Sequence, residues 1–254
     1  METLYMEYKI IKNRPGLLGD LASLLGLLQI NIKTIASIEN YYRGLLLEIK
    51  EPEVKERLLN ALGAVKELEL TGLRTPQLED FLALKHGKKV SSRFKEDSYL
   101  FSRQDLELLI DFLSFYIIDN EEIMIGIKGN PRIGKTETAI AAAVHSNKHW
   151  KLLSTTLLRQ TTLTSVPENI LNSKTVFIID AITTFRRASA DHVRFIRDFL
   201  NKPLLKIIEH PEFLIRETDV SYKDFDLLVE LTEDINDDSD DRLDNYMYSI
   251  SSFE

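Results

Sequence analysis

The sequence predicts an α/β protein in two parts. The first is a βαββαβ unit of ferredoxin-like order, and the second is a mostly parallel sheet flanked by helices. Three observations predict it. Within residues 4–72, apolar side chains alternate with a period of two in four short stretches, and two stretches of helical period lie between them. From residue 100 onward, short apolar runs alternate with helical ones, the order of parallel strands joined by crossover helices. Between one such strand and helix lies Gly129-Asn130-Pro131-Arg132-Ile133-Gly134-Lys135-Thr136, a loop bracketed by glycines.

In the first strand Leu4, Met6, Tyr8 and Ile10 alternate with Tyr5, Glu7 and Lys9, as on a half-buried strand. Asn13-Arg14-Pro15-Gly16 is a turn, because Pro15 presets φ and Gly16 admits a positive one. Leu17, Leu18, Leu21, Leu24, Leu25 and Leu28 then recur on one helical face. Ile30 to Ile38 and Leu45 to Ile49 alternate again, Val54, Leu58 and Leu62 mark a second helix, and residues 65–70 a last strand. Both helices are expected on one face of a split βαβ sheet.

Residues 74–99 read as a connector, with Pro76, Gly87, a cluster of His86, Lys88, Lys89, Arg93 and Lys95, and a short helix through Leu78, Phe81, Leu82 and Leu84 packed on one domain. No stacking aromatics interleave that cluster, so it reads as a solvated linker rather than a nucleic-acid contact. Ser102 and Asp105 open a helix whose buried face holds Leu106, Leu109, Ile110, Leu113 and Ile117. Residues 122–127 form the apolar strand before the loop, and 137–144 the helix after it. Further strands are expected over 151–158, 175–180, 204–208 and 225–231, with a helix through Val193, Ile196, Phe199 and Leu200. The domain bounds that follow are 1–73, a connector 74–99, a second domain 100–232 and an acidic tail 233–254.

The loop matches G-x-x-x-x-G-K-[ST], and strand, glycine loop and helix form the context in which that pattern cradles phosphate. Gly129 and Gly134 let successive backbone N–H groups point into one concavity, and the helix N-terminus adds a positive dipole end. Lys135 would reach the terminal phosphates and the Thr136 hydroxyl would ligate Mg²⁺. Nucleotide contacts are therefore expected from Gly129, Asn130, Pro131, Arg132, Ile133, Gly134, Lys135, Thr136 and Glu137. No base-reading motif separates ATP from GTP.

Residues 175–180 are an apolar run ending in Asp180, a carboxylate suited to hold Mg²⁺ through water at the carboxyl end of a strand. Many ATP-hydrolysing P-loop proteins carry Glu next. Here that position is Ala181, so no general base is identified. Arg187, with Arg186 beside it, is a candidate for stabilising a transferring phosphoryl group, the alternative being a basic loop paired with Asp191 or Asp198. Thr183 and Thr184 are near enough in sequence to orient a water. His210 reads as an ordinary loop histidine.

The chain has 254 residues, no cysteine and a formal charge of −8. The absence of cysteine excludes disulfides and thiolate metal sites and fits a reducing cytoplasm. No apolar run has the length of a membrane span, so no membrane partner is expected. Residues 233–244 hold seven acidic residues and Arg242, net −6, which leaves −2 for the remainder. That near-neutral remainder gives no electrostatic argument for nucleic-acid binding.

The first strand, the Asn13-Arg14-Pro15-Gly16-Leu17-Leu18 turn and the following helix resemble an ACT domain, over about residues 4–72. The resemblance implies a pairing module, hence a homodimer, and an amino acid or other small effector held by Asn13, Gly16 and Leu17, with Asn31 as a neighbour. The alternative is that Asn13 only closes its turn. Taken together, the two halves resemble the uncharacterised YmfK-like bacterial family of Bacillus and its relatives. Residues 13–20, 126–137, 177–180 and 208–211 carry that likeness, which implies no activity of its own. The function expected is that of a Mg-ATP-binding protein with slow hydrolysis, regulated or dimerised through the ACT-like part. A small-molecule kinase and a non-enzymatic switch or scaffold remain as alternatives.

Overall fold

A computed structural model of the chain describes residues 2–93, 98–154, 166–186 and 188–233. The chain divides into two compact units, Met1–Val90 and Ser91–Glu254.

The first unit runs β1 (Glu2–Ile10), α1 (Leu17–Leu27), β2 (Asn31–Ile38), β3 (Tyr42–Ile49), α2 (Glu53–Gly63), β4 (Leu68–Arg74) and α3 (Leu78–His86). Its four strands form an antiparallel sheet in the order β2-β3-β1-β4. Leu21 and Leu25 of α1 and Val54, Leu58 and Leu62 of α2 share one cluster with Leu4, Met6, Tyr8, Leu45 and Leu47, so both helices cover the same face. Each such leucine contributes about 2 kcal/mol through burial. α1 stops where Gln29 takes φ 57°. The Ile30 N–H then bonds to the Leu25 carbonyl (2.9 Å) and that of Gln29 to Gly26 (3.0 Å), closing the last turn.

The stretch expected as a connector is shared between the two units, and the short helix expected in it is α3. α3 belongs to the first unit and lies on the second face of its sheet, where Ala83 packs with Tyr5 and Ile38. β5 (Ser91–Arg93) and β6 (Ser98–Ser102) belong to the second. The expected half-buried pattern of β1 accordingly becomes burial on both sides, with Tyr5 as deep as Leu4. Sequence periodicity reports each segment's own apolar face and is blind to a later helix that covers the other.

Glu7, on that second face, is held by three donors. Lys89 Nζ and Thr71 Oγ1 lie 2.8 Å from its carboxylate and the Tyr5 hydroxyl 3.2 Å. Burial pushes the Glu7 carboxyl up, but hydrogen bonds from Lys89 and Thr71 and the Lys89 charge outweigh it, leaving the pKa below its ordinary 4.5. A depressed carboxylate stabilises the fold above its unfolded pKa, and this stability is lost as pH falls through the folded value. Glu7→Gln should lower the urea midpoint at pH 7, by a loss of about 1–2 kcal/mol, and should narrow the difference between variant and wild type below pH 4.5. A gap between the two that stays constant with pH would remove this latch from the account.

The second unit continues through α4 (Leu106–Ile118), β7 (Ile123–Gly129), α5 (Lys135–His145), β8 (His149–Leu152), β9 (Thr175–Asp180), α6 (Ala181–Phe185), α7 (Ala190–Leu200), β10 (Leu205–Glu209), α8 (Pro211–Glu217) and β11 (Leu227–Thr232). Its seven strands stand in the order β5-β6-β11-β7-β10-β9-β8. Six are parallel, and β5 runs antiparallel to β6 at the edge. β9 is a continuous apolar run and β10 is buried along its whole length, Lys206 included, because helices lie on both faces. Phe177, Ile179 and Ile208 point toward Phe195, Ile196 and Phe199 of α7 and Leu214 of α8. Alternation therefore sends Ile178, Asp180, Ile207 and Glu209 to the opposite face, the side of α5.

The strand expected over 151–158 starts earlier, at His149, and its described part ends at Leu152. Residues 155–165 and the acidic tail beyond Glu233 lie outside the described residues. Among the described residues, no helix is long and apolar enough to cross a membrane.

Candidate functional site

The loop from Gly129 to Thr136 leaves the carboxyl end of β7, between β11 and β10. Gly129, Arg132 and Gly134 have φ of 141°, 64° and 109°. Three positive-φ residues within six turn the backbone into a tight concavity. Gly134 caps α5, so the first helical residues are Lys135 and Thr136. Lys135 is only 4% exposed, and its Nζ donates to the carbonyls of Gly129 (2.9 Å) and Asn130 (2.7 Å). Burial pulls its pKa down, opposed by the carboxylates of Glu209, Glu212, Asp180 and Glu137. Ile133 is buried under the loop, while Pro131, Arg132 and Glu137 are exposed.

Asp180 ends β9 and serves at once as the N-cap of α6. Its Oδ1 accepts from the Thr183 N–H (3.2 Å) and its Oδ2 from the Thr183 hydroxyl. The Thr184 hydroxyl donates to the Asp180 carbonyl (2.7 Å) and pairs with Ser154 Oγ (2.7 Å). Both threonines thus brace Asp180. Arg186 lies exposed at the end of α6, and Arg187 lies outside the described residues.

The strand between β7 and β9 supplies what the sequence reading missed. Glu209 closes β10 in register with Asp180 on one side and Ile127 on the other. It is 4% exposed, lies beside the Thr136 hydroxyl, and among the described residues its Oε1 has no hydrogen-bond partner. Burial raises its carboxyl pKa, Asp180 adds to the rise, and Thr136 and Lys135 oppose it. His210 follows with φ 57°, a strained conformation for a non-glycine, and its Nδ1 lies 3.1 Å from Glu212 Oε1. His210 lies in the connection after β10 where the sequence places it, buried and beside Glu212. The signal was present: residues 204–209 repeat the apolar-run-then-acid pattern of 175–180, and the expected strand stopped one residue short of the acid.

The Thr136 hydroxyl and the Asp180 carboxylate are hard oxygen donors beside Glu209 at the carboxyl edge, the donor type Mg²⁺ takes. Among the described residues, no group of three or more His, Cys, Asp or Glu side chains could hold a metal. A donor set this sparse fits an ion that arrives with phosphate oxygens and water in its shell. A separate cavity of about 330 Å³, lined by Met124, Arg197, Leu200 and Asp224 among others, lies at the amino ends of the strands and is remote from this cluster.

In the first unit, Gly16 takes φ 86° and caps α1, and Arg14 reaches Asp20 (2.6 Å) across the turn. Asn13 is exposed, whereas the Leu17 side chain is buried in the core, leaving only its backbone for contact. Asn31 donates to Glu48 (3.3 Å), which is in register with Thr3 at the start of β1. The turn follows the end of β1, about 20 Å away at the rise of a strand. Within one chain the expected neighbourhood of Asn31 and Asn13 is therefore absent.

Residues 70–251 match the family described as a protein of unknown function, DUF3388. The chain is 39% identical over 232 residues to the uncharacterized protein YmfK of Bacillus subtilis (strain 168), covering 91% of this chain and 86% of YmfK. Among solved structures, the crystal structure of phospho-2-dehydro-3-deoxyheptonate aldolase from Thermotoga maritima aligns at 10% identity and a TM-score of 0.23, over 91% of this chain and 79% of that one. A likeness that low carries no argument about fold or chemistry. With a family match over most of its length and a relative this similar, the chain belongs to the DUF3388 family, as a relative of YmfK.

Proposed function

We infer that the second unit binds a nucleoside triphosphate with Mg²⁺ at the Gly129–Thr136 loop and hydrolyses it slowly, and that the first unit is an ACT-like module for pairing or effector sensing. The observation that carries this reading is the loop itself. Its three positive-φ residues, its buried lysine and the N-terminus of α5 meet the Asp180 and Glu209 carboxylates at one end of a parallel sheet. Backbone N–H groups there would take the phosphates, Lys135 would turn from the loop carbonyls to the terminal phosphates, and Thr136 and Asp180 would hold the ion. The ion would neutralise phosphate charge, which matters beside so many carboxylates. An effector at the Asn13–Leu17 turn would act by a difference in nucleotide affinity between its bound and free states.

Phosphate release from Mg-ATP and Mg-GTP by the full chain tests the reading. Release should be saturable, and Asp180→Ala should lower it at least 100-fold, since the variant loses an ion ligand as well as the cap of α6. Release that persists in Asp180→Ala at the wild-type rate would sink hydrolysis at this site. Label moving from ATP to a metabolite rather than to water would instead identify a kinase.

A further inference from the structure

Hydrolysis needs a polar side chain to orient the attacking water, and the residue after Asp180 is Ala181, buried and without a polar group. A parallel sheet offers another source of that group. Residues in register on adjacent strands point to the same face about 4.8 Å apart, so a side chain on the neighbouring strand reaches the same crevice as Asp180. The neighbour of Asp180 on β10 is Glu209. The Thr136 hydroxyl, the first after the loop lysine, lies beside its carboxylate. Its Oε1 is buried with no hydrogen-bond partner among the described residues. An orphaned carboxylate oxygen this deeply buried is costly, and a water molecule held against it would satisfy it.

We propose that Glu209 is the water-orienting carboxylate of this site, donated laterally from β10 in place of the absent acid after Asp180. Oε1 accepts a hydrogen bond from the attacking water and aims its oxygen lone pair at the γ-phosphorus of the bound triphosphate. The water oxygen forms a P–O bond, the bond from the γ-phosphorus to the bridging oxygen breaks, and the diphosphate leaves with that electron pair. Both water protons end on the inorganic phosphate, so the balance closes without another reactant. Thr136 and Asp180 remain the side chains for the ion, and Glu209 acts on the water. The proposal rests on the nucleotide reading above.

The test compares wild type, Glu209→Gln and Glu209→Asp as full chains. It measures Mg-ATP and Mg-GTP affinity by calorimetry, the Mg²⁺ concentration for half-maximal nucleotide binding, and phosphate release, with circular dichroism to establish folding. Glu209→Gln should keep the nucleotide Kd and the Mg²⁺ half-point within about 3-fold while release falls 100-fold or more. Intact triphosphate should then be recovered from the variant after an incubation in which wild type yields diphosphate. Glu209→Asp, one methylene shorter, should fall between the two, and it carries the test if the glutamine variant does not fold. Release by the variants within 3-fold of wild type overturns the proposal. So does a Mg²⁺ half-point that shifts in step with release, since Glu209 would then be an ion ligand. If wild type binds nucleotide but releases no phosphate, this role falls and the binding site stands. If wild type binds neither triphosphate, both fall.

Discussion

Lys135→Ala should lower affinity for a nucleoside triphosphate at least 100-fold while leaving the helix and strand content of the second unit intact. The expectation follows from what Lys135 does. Its ammonium is buried at the head of α5 and held by the Gly129 and Asn130 carbonyls, so it is a charge already placed at the mouth of the loop. Charge-assisted hydrogen bonds to phosphate contribute about 1.5–3 kcal/mol each. Losing two costs more than the roughly 2.8 kcal/mol that equals 100-fold in binding. The substitution also leaves Glu209, Glu212 and Asp180 without the cation among them, which adds repulsion toward an anionic ligand. Calorimetric titration of the folded variant checks this, and an affinity within 3-fold of wild type would remove Lys135 from the site.

Gly129→Ala should lower the melting temperature of the second unit by on the order of 10 °C, at 2–4 °C per kcal/mol for a unit this size. Gly129 has φ 141°, which L side chains rarely adopt, and a Cβ there would meet the Leu231 carbonyl oxygen at 2.4 Å. That contact is backbone of the paired strand β11, so nothing flexible can give way. Strain of about 1–3 kcal/mol at the dihedral adds to overpacking of a similar size. Gly19→Ala provides the contrast. It lies in α1 with open space around it, and there alanine should raise stability by about 1 kcal/mol through helix propensity. Equal effects at the two glycines, read by calorimetric melting, would contradict the geometry.

The fold was largely legible because its signals are local. Period-two and period-3.6 runs marked the strands and helices of the first unit, a four-residue apolar run marked β9, and two apolar pairs around Lys206 marked β10. What periodicity did not reveal was pairing. β6 is a five-residue strand joined to the parallel strands by β11, 125 residues and more beyond its end, and α3 acts on a face that β1 alone reads as polar. The same limit applied to the site. Loop, Lys135, Thr136 and Asp180 are written as consecutive motifs, whereas Glu209 joins them only because β10 is inserted between β7 and β9. Asn31 shows the converse, a candidate chosen by its position in a pattern and placed by strand register at the far end of the sheet.

The central claim is that the carboxyl edge beneath Gly129–Thr136 is a Mg²⁺-dependent nucleoside triphosphate site. Titration of Mg-ATP and Mg-GTP into wild-type protein, repeated with the ion chelated, tests it most directly. The account predicts saturable binding of one nucleotide per chain that weakens at least tenfold without Mg²⁺, because the ion offsets phosphate charge beside Asp180 and Glu209. No saturable binding of either triphosphate to folded protein, or binding indifferent to Mg²⁺ and to Lys135→Ala, would contradict it.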